Sequence, residues 1–427
     1  NLQFGKLKIQ ALISQQRSEA QSVSSEGGAQ TTRFEKKIDE YDENRHFFLS
    51  HYFRDHYEEA VAALPYIASG IKIDKVEVWV TNKRGVYDEA RNIVAFVDLG
   101  EGDAKHIFDT WTPSGTKPIP DNRANNLYET LNSDPALRSL ENTAELLDGM
   151  GLIGGESYDR IESARRLSSS EYTLNSALGY ISLNTTLNPD EVLAVAYEYT
   201  SGGEVHQVGE FSTDNGENTK APNALFLKLL KGTNTTPIAG KKGKGTWDLM
   251  MKNIYSLGAA SFTEEKFELN VMYRNDSVGT DMQYLNEGNV KGKQLLRVFN
   301  LDRLDQKHNP APDGKFDYVE GYTVLSSSGR IIFPVLEPFG EFLAKQLNYD
   351  KRLVDKYCFP ELYDSTLVQA QEMSEKNKFT LTGRYKGSSG NEIRLNAMNI
   401  PRGSVTVTAG GATLIENVDY TVDYTMG

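Results

Sequence analysis

This 427-residue chain has one cysteine, six histidines and no apolar run approaching the length of a membrane-spanning helix. A lone Cys358 excludes an internal disulfide and carries no metal-site spacing, so it reads as a small buried hydrophobe. The longest apolar window, AVAALPYIASGI, spans about a dozen residues and contains a proline, where a spanning helix needs roughly 20. Positive charge is also short. Against 59 Asp and Glu there are 46 Lys and Arg, leaving a formal charge of -13 and a pI of about 5.1. That balance argues against nucleic acid or an anionic membrane surface as a partner and favours another protein or a small ligand. Catalytic signatures are scarce as well: there is no Gly-x-Ser-x-Gly elbow, and the acids have no spacing that nominates a catalytic pair, so nothing asks for an enzyme.

What is present is enough apolar sequence for two to four domains of roughly 100–200 residues. Residues 44–65, NRHFFLSHYFRDHYEEAVAALP, place Leu49, Phe53, Tyr57, Ala60 and Leu64 three or four apart, which predicts one helix over 44–64 with a bulky apolar face, ended by Pro65. KVEVWV then alternates, with Val76, Val78 and Val80 on one face of a half-buried strand. RNIVAFVDLGE has the unbroken apolar run of a strand covered on both faces. Residues 125–151 read as two helices broken at Asp134-Pro135 and closed by Gly149. Residues 172–212 read as a β-meander with an SGGE hairpin turn. APNALFLKLLKG and TWDLMMKNIYSLGA read as short helices, LLRVFNL and GRIIFPVLEPF as strands, and 339–373 as helices. The fold class is therefore α+β: a mixed, β-rich, multi-domain chain with helices packed on antiparallel sheets and a small sandwich-like C-terminal segment. The expected divisions are an N-terminal strand and extended arm (1–40), an α+β domain (41–170), a β-rich domain with short helices (171–376) and a small all-β segment (377–427). Opening in a strand-like pattern and ending at DYTVDYTMG, the chain reads as an internal fragment.

Three stretches carry candidate chemistry. His46, His51 and His56 are five residues apart, a step that rotates about 140° around a helix each time, so they cannot converge on one metal. GKKGKGT at 240–246 has the glycines of a phosphate loop but lacks its Gly-Lys-Ser/Thr ending, and reads as a basic loop. In NPAPDGKFDYVE, Asn309, Asp313, Lys315, Asp317 and Glu320 fall at positions one, five, seven, nine and twelve of a calcium loop, with Asp302 and Asp305 close by. Position three is Ala311, and the prolines do not suit a helix-bounded loop. An Asp-Gly turn with solvated acids is the competing reading, and calcium is the single candidate cofactor.

Several long segments, NRHFFLSHYFRDHYEEAVAALPYIASGI, EVWVTNK, RNIVAFVDLGE, VLAVAYEYT, VFNLDRLDQKHNPAPDGKFDYVEG, GRIIFPVLEPFG and VTVTAGGATLIENVDYTVDY among them, resemble the SprA (Sov) family. These are the outer-membrane translocon proteins of the type IX secretion system, which also support gliding motility. The resemblance implies a soluble, non-enzymatic segment of a much larger protein, contributing to pore architecture, gating or partner docking as folded proteins leave the cell. The implied partners are the accessory outer-membrane barrel, other secretion components and cargo proteins. The implied location is the outer membrane, periplasm or cell surface, with the membrane reached only through the rest of the full-length protein. The family offers no catalytic residues to carry over. A calcium- or glycan-binding surface or periplasmic module is the alternative.

Overall fold

The computed structural model describes residues 2–4, 7–9, 25–26, 29–83, 85, 89–115, 118–214, 223–238, 240–241, 243–276, 279–387, 404–409, 412–416, 419–420 and 422. The chain forms two compact units, Arg33–Tyr385 and a second made of Asn1–Thr32 with Lys386–Gly427. In the second unit, β1 (Leu2–Phe4) pairs antiparallel with β2 (Leu7–Ile9), a hairpin where one strand was expected. Next, β3 (Ser25–Glu26) pairs with the start of β4 (Ala29–Lys37), so part of the expected polar arm is a strand pair.

The larger unit takes in the rest of β4 and continues with β5 (His46–Phe48), α1 (His51–Asp55) and α2 (Tyr57–Ala60). The single helix expected over 44–64 is thus wrong in its first third and broken at His56. Residues 46–48 find a strand partner, and paired backbone overrides the helical periodicity. The apolar face is as expected: Leu49, Phe53 and Tyr57 are all buried. There follow β6 (Ile71–Val80), β7 (Arg91–Phe96), α3 (Leu127–Ser133), a 3-10 turn at Pro135–Arg138 and α4 (Leu140–Gly149). Asp134 caps that turn by accepting from the Ala136 N–H at 2.9 Å, the break that Asp134-Pro135 signals. Then come β8 (Tyr158–Arg166), β9 (Tyr172–Asn175), β10 (Tyr180–Leu183), β11 (Leu193–Ser201), β12 (Glu204–Val208) and β13 (Leu225–Lys231).

β5, β10 and β9 make a small sheet. The strands β11, β13, β7, β8 and β6 close on themselves, because β6 also pairs with β11, and give a five-stranded barrel extended by β12. Strands from before and after residue 170 therefore share one barrel. APNALFLKLLKG is a correction: it supplies β13, parallel to β7 and antiparallel to β11. Its Leu225, Leu227 and Leu229 face the barrel interior, while Phe226 and Leu230 face the surrounding core. Both faces are apolar, so period two is hidden in a continuous run. Trp79, expected on the polar side of β6, is likewise inside. The interior is packed solid by residues such as Ala95, Ala194, Ala196 and Trp79, with Phe108 and Phe211 entering from loops.

The remainder is a second core. It contains β14 (Ile254–Ser256), β15 (Phe262–Asn275), β16 (Thr280–Met282), α5 (Leu295–Val298), β17 (Val324–Leu325) and β18 (Arg330–Ile332). Helices α6 (Leu343–Gln346), α7 (Lys351–Tyr357), α8 (Glu361–Asp364) and α9 (Leu367–Glu372) lead into β19 (Phe379–Gly387). Two expectations fail here. Residues 246–259 form a 3-10 turn and β14, because Met250 bridges Phe47 and β14 pairs with β18. LLRVFNL begins with α5, whose Leu295, Leu296 and Val298 are buried. β15, β19 and β4 lie side by side in one sheet. Gly383 is required there, since a Cβ would sit 1.9 Å from the Glu268 carbonyl oxygen. In the smaller unit, β20 (Thr408–Ala409) and β21 (Ala412–Thr413) pair antiparallel, while residues 388–403 of the all-β segment expected at 377–427 lie outside the described residues.

Candidate functional site: a buried ionic centre on the barrel wall

β13 presents one charge among apolar neighbours. Lys228 points out of the barrel, is 0% exposed, and places its Nζ 2.8 Å from Glu101 Oε1. The same ammonium donates to the Val97 carbonyl. Glu101 sits just beyond β7, in a loop that turns at Gly100, where φ is +76° and a Cβ would strike Val208 at 2.5 Å. Only glycine allows that turn so close to β12. Asn125, two residues before α3, holds the loop by donating to the carbonyls of Asp98 and Glu101, both at 2.8 Å.

α1 completes the centre. Glu101 Oε1 also accepts from the backbone N–H and from Nδ1 of His51, each at 3.0 Å. Burial alone would raise the Glu101 pKa, but Lys228 and His51 outweigh it and hold the carboxylate far below its usual range. Burial drives the His51 pKa down, so its ring is neutral. The His106 ring stacks on it with centroids 4.4 Å apart. His106 in turn bonds Asp55 of α1 at 2.8 Å and the Gly243 carbonyl at 2.7 Å. Asp98 differs: burial lifts its pKa to about 7 despite the Phe108 N–H at 2.9 Å and the nearby Lys228 charge. Its Oδ1 is buried without a hydrogen-bond partner.

This arrangement neutralises charge inside the protein. A groove of about 530 Å³ is lined by Ile67, Gly70, Ile71, Asp74, Thr200 and Gly202, none of them part of the centre. Of the three spaced histidines, only His51 belongs to it. His46 bonds Ser182 at 2.7 Å, and His56 bonds the Tyr52 carbonyl at 2.8 Å. Sequence reasoning missed Glu101, Lys228, Asp98 and His106. The one local signal was a lysine in the middle of the apolar run LFLKLLK.

The calcium-loop residues are placed as follows. Asp317 accepts from the backbone N–H groups of Arg303 and Leu304 at 2.7 and 3.1 Å, and Asp302 accepts from those of Asp313 and Gly314 at 3.0 and 3.1 Å. Burial pushes the Asp317 pKa up to about 6, only partly offset by those N–H groups. Asn309 pairs with Asp305 at 2.9 Å, Glu320 accepts from the Ser326 N–H at 3.0 Å, and the Lys315 N–H donates to Asp313 at 3.0 Å. The loop spends its carboxylates on its own backbone. Among the described residues, no three or more His, Cys, Asp or Glu are grouped to hold a metal ion. In the basic loop, Lys241 pairs with Glu156 at 2.7 Å and Lys244 with Asp109 at 2.8 Å. Cys358 is buried, and burial pushes its thiol pKa up to about 12.

No curated protein matches the chain. No helix among the described residues is long and apolar enough to cross a membrane. The resemblance noted in the sequence is met by a family model: residues 1–100, which run from β1 through β7 and include His51, match SprA_N, described as a motility related/secretion protein.

Proposed function

We propose that the chain is a non-enzymatic segment of the type IX secretion translocon, serving pore architecture, gating or partner docking during export of folded proteins and gliding motility. One observation carries the architectural role: the larger unit starts and finishes at the same place. Phe34 on β4 and Tyr385 on β19 stack with ring centroids 6.3 Å apart, on neighbouring strands of one sheet. A body of this kind can hang from a strand pair without disturbing the pairing, the arrangement in which insertions are best tolerated. The packed barrel interior fits a scaffold and not a conduit. β11 is apolar toward both the interior and the surrounding core, and β15 turns Glu264, Glu268 and Arg274 outward, so neither has a lipid-facing side. In this reading the accessory outer-membrane barrel, other secretion components and cargo are the partners, met at the outer membrane as part of the full-length protein.

The test replaces residues 33–385 in the full-length protein with a short Gly/Ser bridge and measures secretion in cells at matched abundance. The expected result is a protein that still reaches the membrane but no longer secretes cargo. Normal secretion by that variant would sink the proposal.

A further inference from the structure

His106 has acceptors on both sides. Its Nδ1 lies 2.7 Å from the Gly243 carbonyl oxygen and its Nε2 2.8 Å from Asp55 Oδ2, and its side chain is buried. A neutral imidazole offers one N–H and one lone pair, so it can satisfy only one of these oxygens and must set a lone pair against the other. Only the imidazolium donates to both, and distances this short are those of charge-assisted bonds. We propose that His106 is a proton-dependent latch: doubly protonated, it ties the Gly243 turn of the basic loop to Asp55 on α1, and loss of one ring proton releases that loop.

The surroundings select this state. On α1, His51 stacks on His106 as a neutral ring, so the pair carries a single positive charge. Asp55 also takes Lys105 Nζ at 2.6 Å and lies 3.6 Å from Arg54, whose other partner is Glu337. Glu101, with Lys228 behind it, supplies a further negative charge facing both rings. From the loop side, Asp248 accepts the Gly243 N–H at 3.0 Å, and Lys241 and Lys244 are paired with Glu156 and Asp109. Burial opposes the His106 charge, but the Asp55 bond, the Gly243 carbonyl and the Glu101 charge outweigh it and raise the pKa above its usual value of 6.5. A raised histidine pKa means that the contribution is complete below the ordinary value and is lost as pH climbs through the raised one. The Asp55 pKa is held far below the usual carboxylate range, so moderate acid leaves the latch closed. The latch therefore opens on the alkaline side, whether or not the secretion reading holds.

Hydrogen exchange of the Gly243 and Lys244 amides in the whole chain tests it, corrected for intrinsic exchange and read against Leu227 in β13. Protection at the loop should fall by up to about tenfold per pH unit above the His106 pKa, while Leu227 stays constant. In parallel, ¹⁵N spectra should show both His106 ring nitrogens protonated at pH 6.5. His106→Gln should leave the loop weakly protected and insensitive to pH, and Asp55→Asn should move the transition to lower pH. A flat wild-type profile, the same slope in His106→Gln, or a neutral His106 ring at pH 6.5 would overturn the latch. Should His106→Gln fail to fold, the wild-type exchange profile and ring titration decide the question by themselves.

Discussion

Around the barrel, charged side chains are buried together with partners. Lys228 meets Glu101, Arg138 grips Glu210 with two bonds of 2.7 and 2.8 Å, and Glu77 closes one barrel end by accepting from Ser212 and Arg166. Across the β15, β19 and β4 sheet, helices α5 to α9 instead cover a seam of aromatic rings. Phe339 alone packs its ring, tilted or edge-on, against those of Phe299, Phe333 and Phe379 with centroids 5.0, 5.6 and 5.1 Å away. Ionic burial is directional: each charge needs its partner at a set distance, so it fixes which loop docks where, at the expense of desolvation. Aromatic burial accepts both offset-stacked and edge-to-face arrangements over a range of centroid distances, and phenylalanine rings carry no charge to titrate. The two regions should therefore respond differently to substitution, pH and ions.

The sharpest contrast comes from Lys228→Ala, which should destabilise by about 3–5 kcal/mol by stranding Glu101, whereas Lys228→Met with Glu101→Gln should recover most of that loss. Chemical denaturation measures both; a double variant as unstable as the single one would show that the ions do more than neutralise each other. Phe339→Ala should destabilise by a similar amount, about 3–5 kcal/mol, but equally at pH 5 and pH 8. A pH-dependent loss there would blur the division between the regions. Third in size is a slope. Asp98 keeps its proton up to about pH 7 in the folded chain, whereas an unfolded carboxyl loses it near 3.8. The folded state thus holds more protons between those values, and stability falls with rising pH by at most about 1.4 kcal/mol per unit. Asp98→Asn should flatten that slope in melts taken from pH 4 to 7. Smallest of all, adding or chelating calcium should move the melting temperature by less than about 1 °C, because the carboxylates of Asp302 and Asp317 are already engaged by backbone N–H groups. A clear upward shift with calcium would revive an ion site at 309–320.

Legibility from sequence divides along similar lines. Elements with one exposed face, such as α4, or with a punctuating residue, such as the break at Asp134-Pro135, were readable because local pattern and tertiary role agree. β6 and β7 were readable as strands, but the alternation of β6 could not reveal that its second face, with Trp79, closes a barrel. β13 and β14 were read as helices because strands buried on both sides or held by distant partners lose their period. The family resemblance was visible in long segments and is matched over residues 1–100. The ionic centre was not legible. His51, Glu101 and Lys228 meet only because α1, the loop after β7 and β13 share one wall of a closed barrel, and no spacing along the chain encodes that.

The stacking of Phe34 on Tyr385 has a mechanical consequence. Tension applied along the chain at the two ends of the larger unit passes from β4 straight to β19 and bypasses everything between. The barrel, its ionic centre and the aromatic seam hang beside the line of force, so a pull strong enough to part those two strands must come before any load reaches them.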